Sequence, residues 1–273
     1  MAENATYNII RQKDVDGVRA EIRSGRYVGH TAGLAPGKLQ ANLAILPVDL
    51  AADFAEFCNL NPKPCPLVGM TEPGNPAWTA LGDVDIRTDV PLYYIYRDGE
   101  YAENASDLAR FWRDDLVAFA LGCSFTFENA LIEAGIPVNH ITQDRIVPMY
   151  RTNLETSKAG PFGGGTVVSM RYFEPENVER AIEISAAFPW AHGAPIHIGN
   201  PGLIGIRDIN SPDWGDPPCG PEGTPVFWAC GVTPQNALSR ARPPFCITHK
   251  PGCMLITDIG ERENSFYTPP TNQ

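Results

Sequence analysis

Lysine is scarce in this chain, with five among 273 residues, and no run of Lys and Arg forms a basic patch. The formal net charge is -11. Such a surface repels polyanions, which excludes nucleic acid and anionic membrane as expected partners. No apolar run is long enough to span a bilayer. The stretch Met1 to Ile10 lacks the basic start and apolar core of a signal peptide, so the expected location is the cytoplasm. The seven cysteines are odd in number, irregularly spaced and free of any Cys-x-x-Cys pair. Neither a disulfide framework nor a structural zinc site is expected from them. An internal repeat and a low-complexity tract are missing as well.

What is present reads as an ordinary folded chain, 43% hydrophobic and 19% charged. Its 26 prolines and 25 glycines are spread out, implying many turns between short elements. The length allows one large core or two unequal domains. The basic residues are mostly arginine, several of them beside Gly, Pro or Asn. A planar guanidinium holds carboxylates bidentately, so the expected partner is a small carboxylated metabolite. A homo-oligomer is compatible with this.

Periodicity places strands at 66–70, 91–96, 100–102 (after a hairpin turn at Asp98-Gly99), 116–121, 146–150, 166–170, 203–206, 225–231, 245–248 and 254–258, with a short apolar stretch at 44–47. Helices are expected at 14–24, 49–58, 106–113, 125–134, 178–187 and 233–238, and a frayed polar tail after Gly260. The expected class is α/β. Breaks in composition at 159–165 and 209–224 suggest a smaller βαβ-type domain at 153–221, inserted into a larger one built from 1–152 and 222–273.

The chemistry-bearing residues gather in a few blocks. Gly122-Cys123-Ser124 lies between a buried strand and a helix, where free backbone N–H groups bind anions and lower the pKa of a thiol. Cys123 or Ser124 then acts on a ligand, or else Ser124 caps the helix and Cys123 only packs. Glu128, one turn on, is a candidate acid or base. Arg151 and Asn153 end one strand and Arg171 another, and two arginines at strand ends suit a dicarboxylate. In the block from His192 to Pro201, two imidazoles, His192 and His197, lie near Asn200 and suit proton transfer or metal ligation. Their spacing, with His249 added, matches no zinc signature, so no metal and no cofactor is expected. Trp228 to Gln235 is a second strand–Gly–helix junction, in which Thr233 caps a helix and Gln235 reaches a ligand.

Six blocks, taken in order, resemble one family. They are Gly122 to Phe125, Val147 to Asn153, Val168 to Arg171, His192 to Gly199, Pro225 to Gln235, and Thr248-His249 with Pro251-Gly252. They are similar to the D-glutamate cyclase-like hydro-lyases, also called YcsI-like proteins. The resemblance implies a three-layer α/β domain with a smaller two-layer one. It also implies dehydrating closure of D-glutamate, or a related amino-dicarboxylate, to 5-oxo-D-proline. Two positions depart from the family pattern: Asn200 stands where an acidic residue is common, and Cys253 where His is expected. A non-catalytic protein that binds a small anion is the alternative, and only the enzyme requires a titrating acid or base beside the ligand.

Overall fold

The computed structural model describes residues 2–143 and 145–262. The tail expected to fray after Gly260 lies largely outside them. Two sheets, both antiparallel, organise the described chain. The first has seven strands: β1 (Lys38–Pro47), β2 (Leu67–Met70), β3 (Tyr93–Arg97), β4 (Glu100–Ala105), β5 (Leu116–Gly122), β10 (Phe245–His249) and β11 (Leu255–Gly260). Its order is β2-β5-β1-β10-β3-β4, with β11 also paired to β1. The second runs β6-β7-β9-β8, from β6 (Met149–Glu155), β7 (Gly165–Phe173), β8 (His197–Ile198) and β9 (Thr224–Ala229). The α-helices are α1 (Ala2–Ile10), α2 (Val15–Arg23), α3 (Val48–Leu60), α4 (Phe125–Glu133), α5 (Asn139–Thr142), α6 (Pro175–Ala186) and α7 (Val232–Ala241).

β1 is buried along both faces, and its side chains divide by parity between two cores. Leu39, Ala41, Leu43 and Ile45 join one core, which the connection through Trp78, Ile86, Leu108 and Phe111 covers. Ala44 and Leu46 join the other, under Phe54 and Phe57 of α3 and Leu238 of α7. β5 alternates in the same way, with Ala118 on one side and Phe119 on the other.

Several sequence expectations are corrected here. The strand–turn–helix units do not belong to parallel sheets, because a strand buried on both faces reads the same in either direction. The βαβ-type unit fails for a related reason: β7 and β9, on either side of α6, pair antiparallel. The stretch 106–113 is not a helix but a set of turns, held by Leu108 and Phe111 in the core and by the Leu108 N–H bond to the Arg87 carbonyl. The strand expected at 203–206 is instead a 3-10 turn, Pro201–Ile204, started by Asn200, whose Oδ1 accepts from the Gly202 N–H. The stretch 44–47 is only the end of ten-residue β1. Gln40 and Asn42 mask the rest as polar, yet both are buried and donate to backbone carbonyls.

Candidate functional site

The two strand–Gly–helix junctions meet, one from each sheet. β5 ends at Gly122, where a Cβ would run into the backbone carbonyl of Trp190. β9 leads through Cys230 and Gly231 into α7, and a Cβ on Gly231 would run into the Asn42 side chain. Asn42 on β1 bridges them: its amide donates to the Gly122 carbonyl at 2.8 Å while it lies against Gly231.

Behind the first junction lies a buried charged cluster. Arg171 of β7 donates from Nε to Glu128 Oε1 at 2.9 Å, and its Nη2 contacts the same oxygen. Nη2 also donates to Ser124 Oγ at 3.0 Å, and Nη1 to Ser169 Oγ at 3.0 Å. The guanidinium lies 5.3 Å from the ring centroids of both Phe127 and Trp228. His140 of α5 places Nε2 3.2 Å from Glu128 Oε1, an ion-pair contact that lacks hydrogen-bond alignment. Every one of these side chains is buried. Among the described residues Glu128 Oε2 and Trp228 Nε1 have no hydrogen-bond partner. Burial pushes the Glu128 carboxyl up, but the charges of Arg171 and then His140 outweigh it and hold it down at about 2. Glu128 is therefore a fixed anion at neutral pH. A cavity of about 20 Å³, lined by Asn139, His140, Arg171, Tyr172, Pro218 and Cys219, borders the cluster. It has room for roughly one water molecule.

Two further histidines are buried, and a backbone carbonyl fixes the tautomer of the first. His192 stands at φ 79° after the short turn Pro189–Ala191. Its Nδ1 lies 2.7 Å from the Lys63 carbonyl, which can only accept, so Nδ1 carries the proton and Nε2 the lone pair. Burial pushes His192 down to about 4, with the Arg171 charge acting the same way and the Lys63 hydrogen bond against it. At His249 the Leu43 N–H donates to Nδ1 at 3.0 Å, the Leu43 carbonyl lies 3.3 Å from the same nitrogen, and the Gln235 amide nitrogen lies 3.3 Å from Nε2. Burial pushes His249 down to about 4 as well.

Ser124, Glu128 and Arg171 are thus brought together, with His192 within reach of the Arg171 charge; Gln235 and His249 meet at the second junction. Arg151, Asn153, His197 and Asn200 are not gathered with them. Arg151 pairs with Val167, whereas His197 pairs with Phe227, itself opposite Met170. Positions 167 and 170 differ in parity, so Arg151 and His197 project from opposite faces of the second sheet and do not share one cleft. Arg151 is exposed, paired with Asp213 and stacked on Trp214. The His197 Nε2–H donates to the Asn200 carbonyl at 2.8 Å. Asn153 is exposed on β6 against Gly205.

Ser124 makes no capping hydrogen bond, since its hydroxyl faces Arg171. Thr233 is not a cap either: it lies inside α7, and its Oγ1 accepts from the Val167 N–H and donates to the Val167 carbonyl. Burial raises the Cys123 thiol to about 12, the opposite of an activated thiol. Cys253 is buried, with Sγ 3.5 Å from the Gly29 carbonyl.

His140, Ser169 and Asn42 were missed in the sequence. Ser169 could have been found, because a residue two before Arg171 shares its face of the strand. His140 carried no signal, lying in a four-residue helix between Val138 and Ile141.

Comparison with known proteins places the chain in a family. A family model described as D-glutamate cyclase matches residues 117–258, which contain both junctions and the charged cluster. A protein of Dinoroseobacter shibae named "Putative hydro-lyase" is 58% identical over 95% of this chain and 87% of its own length. A relative of the same name from Verminephrobacter eiseniae is 56% identical over 97% of this chain and 96% of its own. The chain belongs to the D-glutamate cyclase family, and its relatives support a lyase-type enzyme. A nitrogen repressor-like protein from Methanococcus jannaschii aligns with a TM-score of 0.37 at 10% identity, over 89% of this chain and 97% of that one, too distant to bear on fold or function. Among the described residues no helix is long and apolar enough to cross a membrane.

Proposed function

We propose that the chain removes water from a small amino-dicarboxylate, closing D-glutamate to 5-oxo-D-proline, at the cluster of Ser124, Glu128, Arg171 and His192. The observation that carries this reading is the unpartnered Glu128 Oε2, buried beside a guanidinium. A buried anionic oxygen in want of a donor, next to a cation, suits a ligand with both an ammonium and a carboxylate. In the reaction the ligand nitrogen attacks its own γ-carboxyl carbon. A C–N bond forms, a C–O bond breaks, and the two protons shed by the ammonium leave with the carboxylate oxygen as water. Arg171 stabilises the oxyanion charge. The His192 Nε2 lone pair accepts a proton from nitrogen and returns it to the departing oxygen. Glu128, ionised throughout, orients Arg171 and receives the ammonium; it does not itself relay protons. We also read the two sheets as frames of two units, a larger three-layer one and a smaller two-layer insertion. The edges of the insertion lie nearer 149 and 229 than 153 and 221, since β6 and β9 belong wholly to the second sheet.

The test is incubation of the full chain with D-glutamate, L-glutamate and D-aspartate, with product followed by mass spectrometry. D-Glutamate is expected to lose one water, and Glu128→Gln to lower kcat by roughly 10²-fold or more. If the intact protein turns over none of the three, the dehydration reading is lost and an anion-binding protein takes its place.

A further inference from the structure

Between α3 and β2 the chain reads Asn61-Pro62-Lys63-Pro64-Cys65-Pro66, with proline at every second position. Each proline fixes its own φ and restricts the residue before it, so the connection 61–66 is stiff. It is also tied at both ends. The Asn61 side chain donates to the Phe57 carbonyl at 2.7 Å and to the Ser157 carbonyl at 2.8 Å, and its Oδ1 accepts from the Ser157 N–H at 2.8 Å. The Cys65 N–H closes the turn on the Asn61 carbonyl, and the Pro66 carbonyl accepts from the Gly122 N–H at 2.9 Å.

Lys63 stands between those ties and holds the turn that carries His192 at two points. Its carbonyl accepts from the His192 Nδ1–H at 2.7 Å, and its Nζ donates to the Ala194 carbonyl at 2.7 Å. His192 keeps a φ of 79°, which a residue with a side chain adopts only where its surroundings impose it. An imidazole that moves protons needs a third group to fix its tautomer and direction. Here that group is a backbone carbonyl, and only the stiffness of its own chain can aim it.

We propose that the connection 61–66 is the positioning element for His192: Lys63 aims the ring with its carbonyl and its ammonium, and Pro62 and Pro64 hold Lys63 in place. Lys63 is thus a positioning residue that acts through His192. The inference rests on the reading above that His192 moves the proton, and goes beyond it in assigning what orients the ring.

Nitrogen NMR of ring-labelled histidine in the full chain tests this. The unsubstituted chain is expected to show His192 protonated on Nδ1 and bare on Nε2. In Pro62→Ala/Pro64→Ala the His192 signals should move toward the averaged pattern of a free imidazole, while those of His249 stay. With D-glutamate, kcat of this double variant should fall by about tenfold or more and KM stay unmoved, since binding is kept and alignment is lost. Lys63→Met removes only the ammonium, from an exposed position, and should lower kcat by about threefold; Lys63→Arg should restore it.

A His192 ring protonated on Nε2 in the unsubstituted chain would overturn the proposal without any variant. So would His192 signals that the double variant leaves in place, or a full kcat from a chain whose ring signals have moved. Ring signals that respond as expected in a chain that closes no D-glutamate would keep the positioning assignment and remove the dehydration reading. Turnover of D-glutamate with unresponsive ring signals would do the reverse.

Discussion

The two junctions share a pattern: a buried strand, a Cys beside a Gly, a small hydroxyl residue and a helix. At the first, the Ser124 hydroxyl turns to Arg171 and the neighbourhood is ionic. At the second, the Thr233 hydroxyl is consumed by the Val167 backbone, and the imidazole there, His249, is buried neutral against Gln235. Similar local sequence has thus produced one charged and one uncharged helix start. The difference lies in what the opposing strand brings. β7 presents Arg171 to the first and only backbone to the second.

The steric side of this comparison should give the largest effects. At Gly122 a side chain meets backbone, which cannot move aside, whereas at Gly231 it meets the Asn42 side chain. Gly122→Ala is expected to destabilise by more than about 4 kcal/mol or to prevent folding. Gly231→Ala should cost less and be partly rescued by Asn42→Ala. Urea denaturation of the single and double variants measures this, and equal losses at the two glycines would break the distinction.

Charge comes next. Arg171→Met leaves Glu128 buried without its guanidinium partner, with an expected loss of about 3–5 kcal/mol. Adding Glu128→Gln should restore much of it. At the uncharged junction Gln235→Leu should cost about 1 kcal/mol. If the arginine variant is no worse than the glutamine one, the first junction is not electrostatically distinct.

Acid should act on both junctions through their histidines. The folded pKa values of His192 and His249 are depressed to about 4, below the usual imidazole value, so the unfolded chain binds more protons across that window. Stability is therefore full above about pH 6.5 and falls toward about pH 4, by on the order of 3 kcal/mol per histidine. Glu128, also depressed, holds its contribution above its unfolded value and loses it only as pH falls toward about 2. Chemical denaturation at stepped pH checks this, and His249→Gln should flatten the upper window. An unchanged slope in that variant would refute the assignment.

The smallest effect belongs to Cys123. With its thiol raised to about 12, it should resist alkylation by iodoacetamide at about pH 8 in the folded chain. Cys123→Ala should cost about 1 kcal/mol and retain turnover. Loss of activity with the fold intact would restore the nucleophile reading.

Much of the local frame was legible. The apolar run Leu116 to Leu121, followed by Gly122, announced β5 and the start of α4. The helix expected at 178–187 is α6, which begins three residues earlier at Pro175. β1 was hidden, because Gln40 and Asn42 are polar inside it and their satisfaction comes from carbonyls on other segments. The segment 106–113 has helical spacing but is held as turns by the core it docks on. Of the site, Ser124, Glu128 and Arg171 were legible as candidates, each for its own local reason. That Arg151 and His197 stand apart could not be read, because the register between strands decides which face each occupies.

By itself the sequence determined the strand-to-helix junctions, the lack of any Lys/Arg run and the family, since these rest on residues near one another in the chain. Only the tertiary structure decided that Arg171, Glu128 and His140 form one cluster. An ion pair of this kind exists only once two sheets have closed and removed its water, and no spacing along the chain encodes that closure.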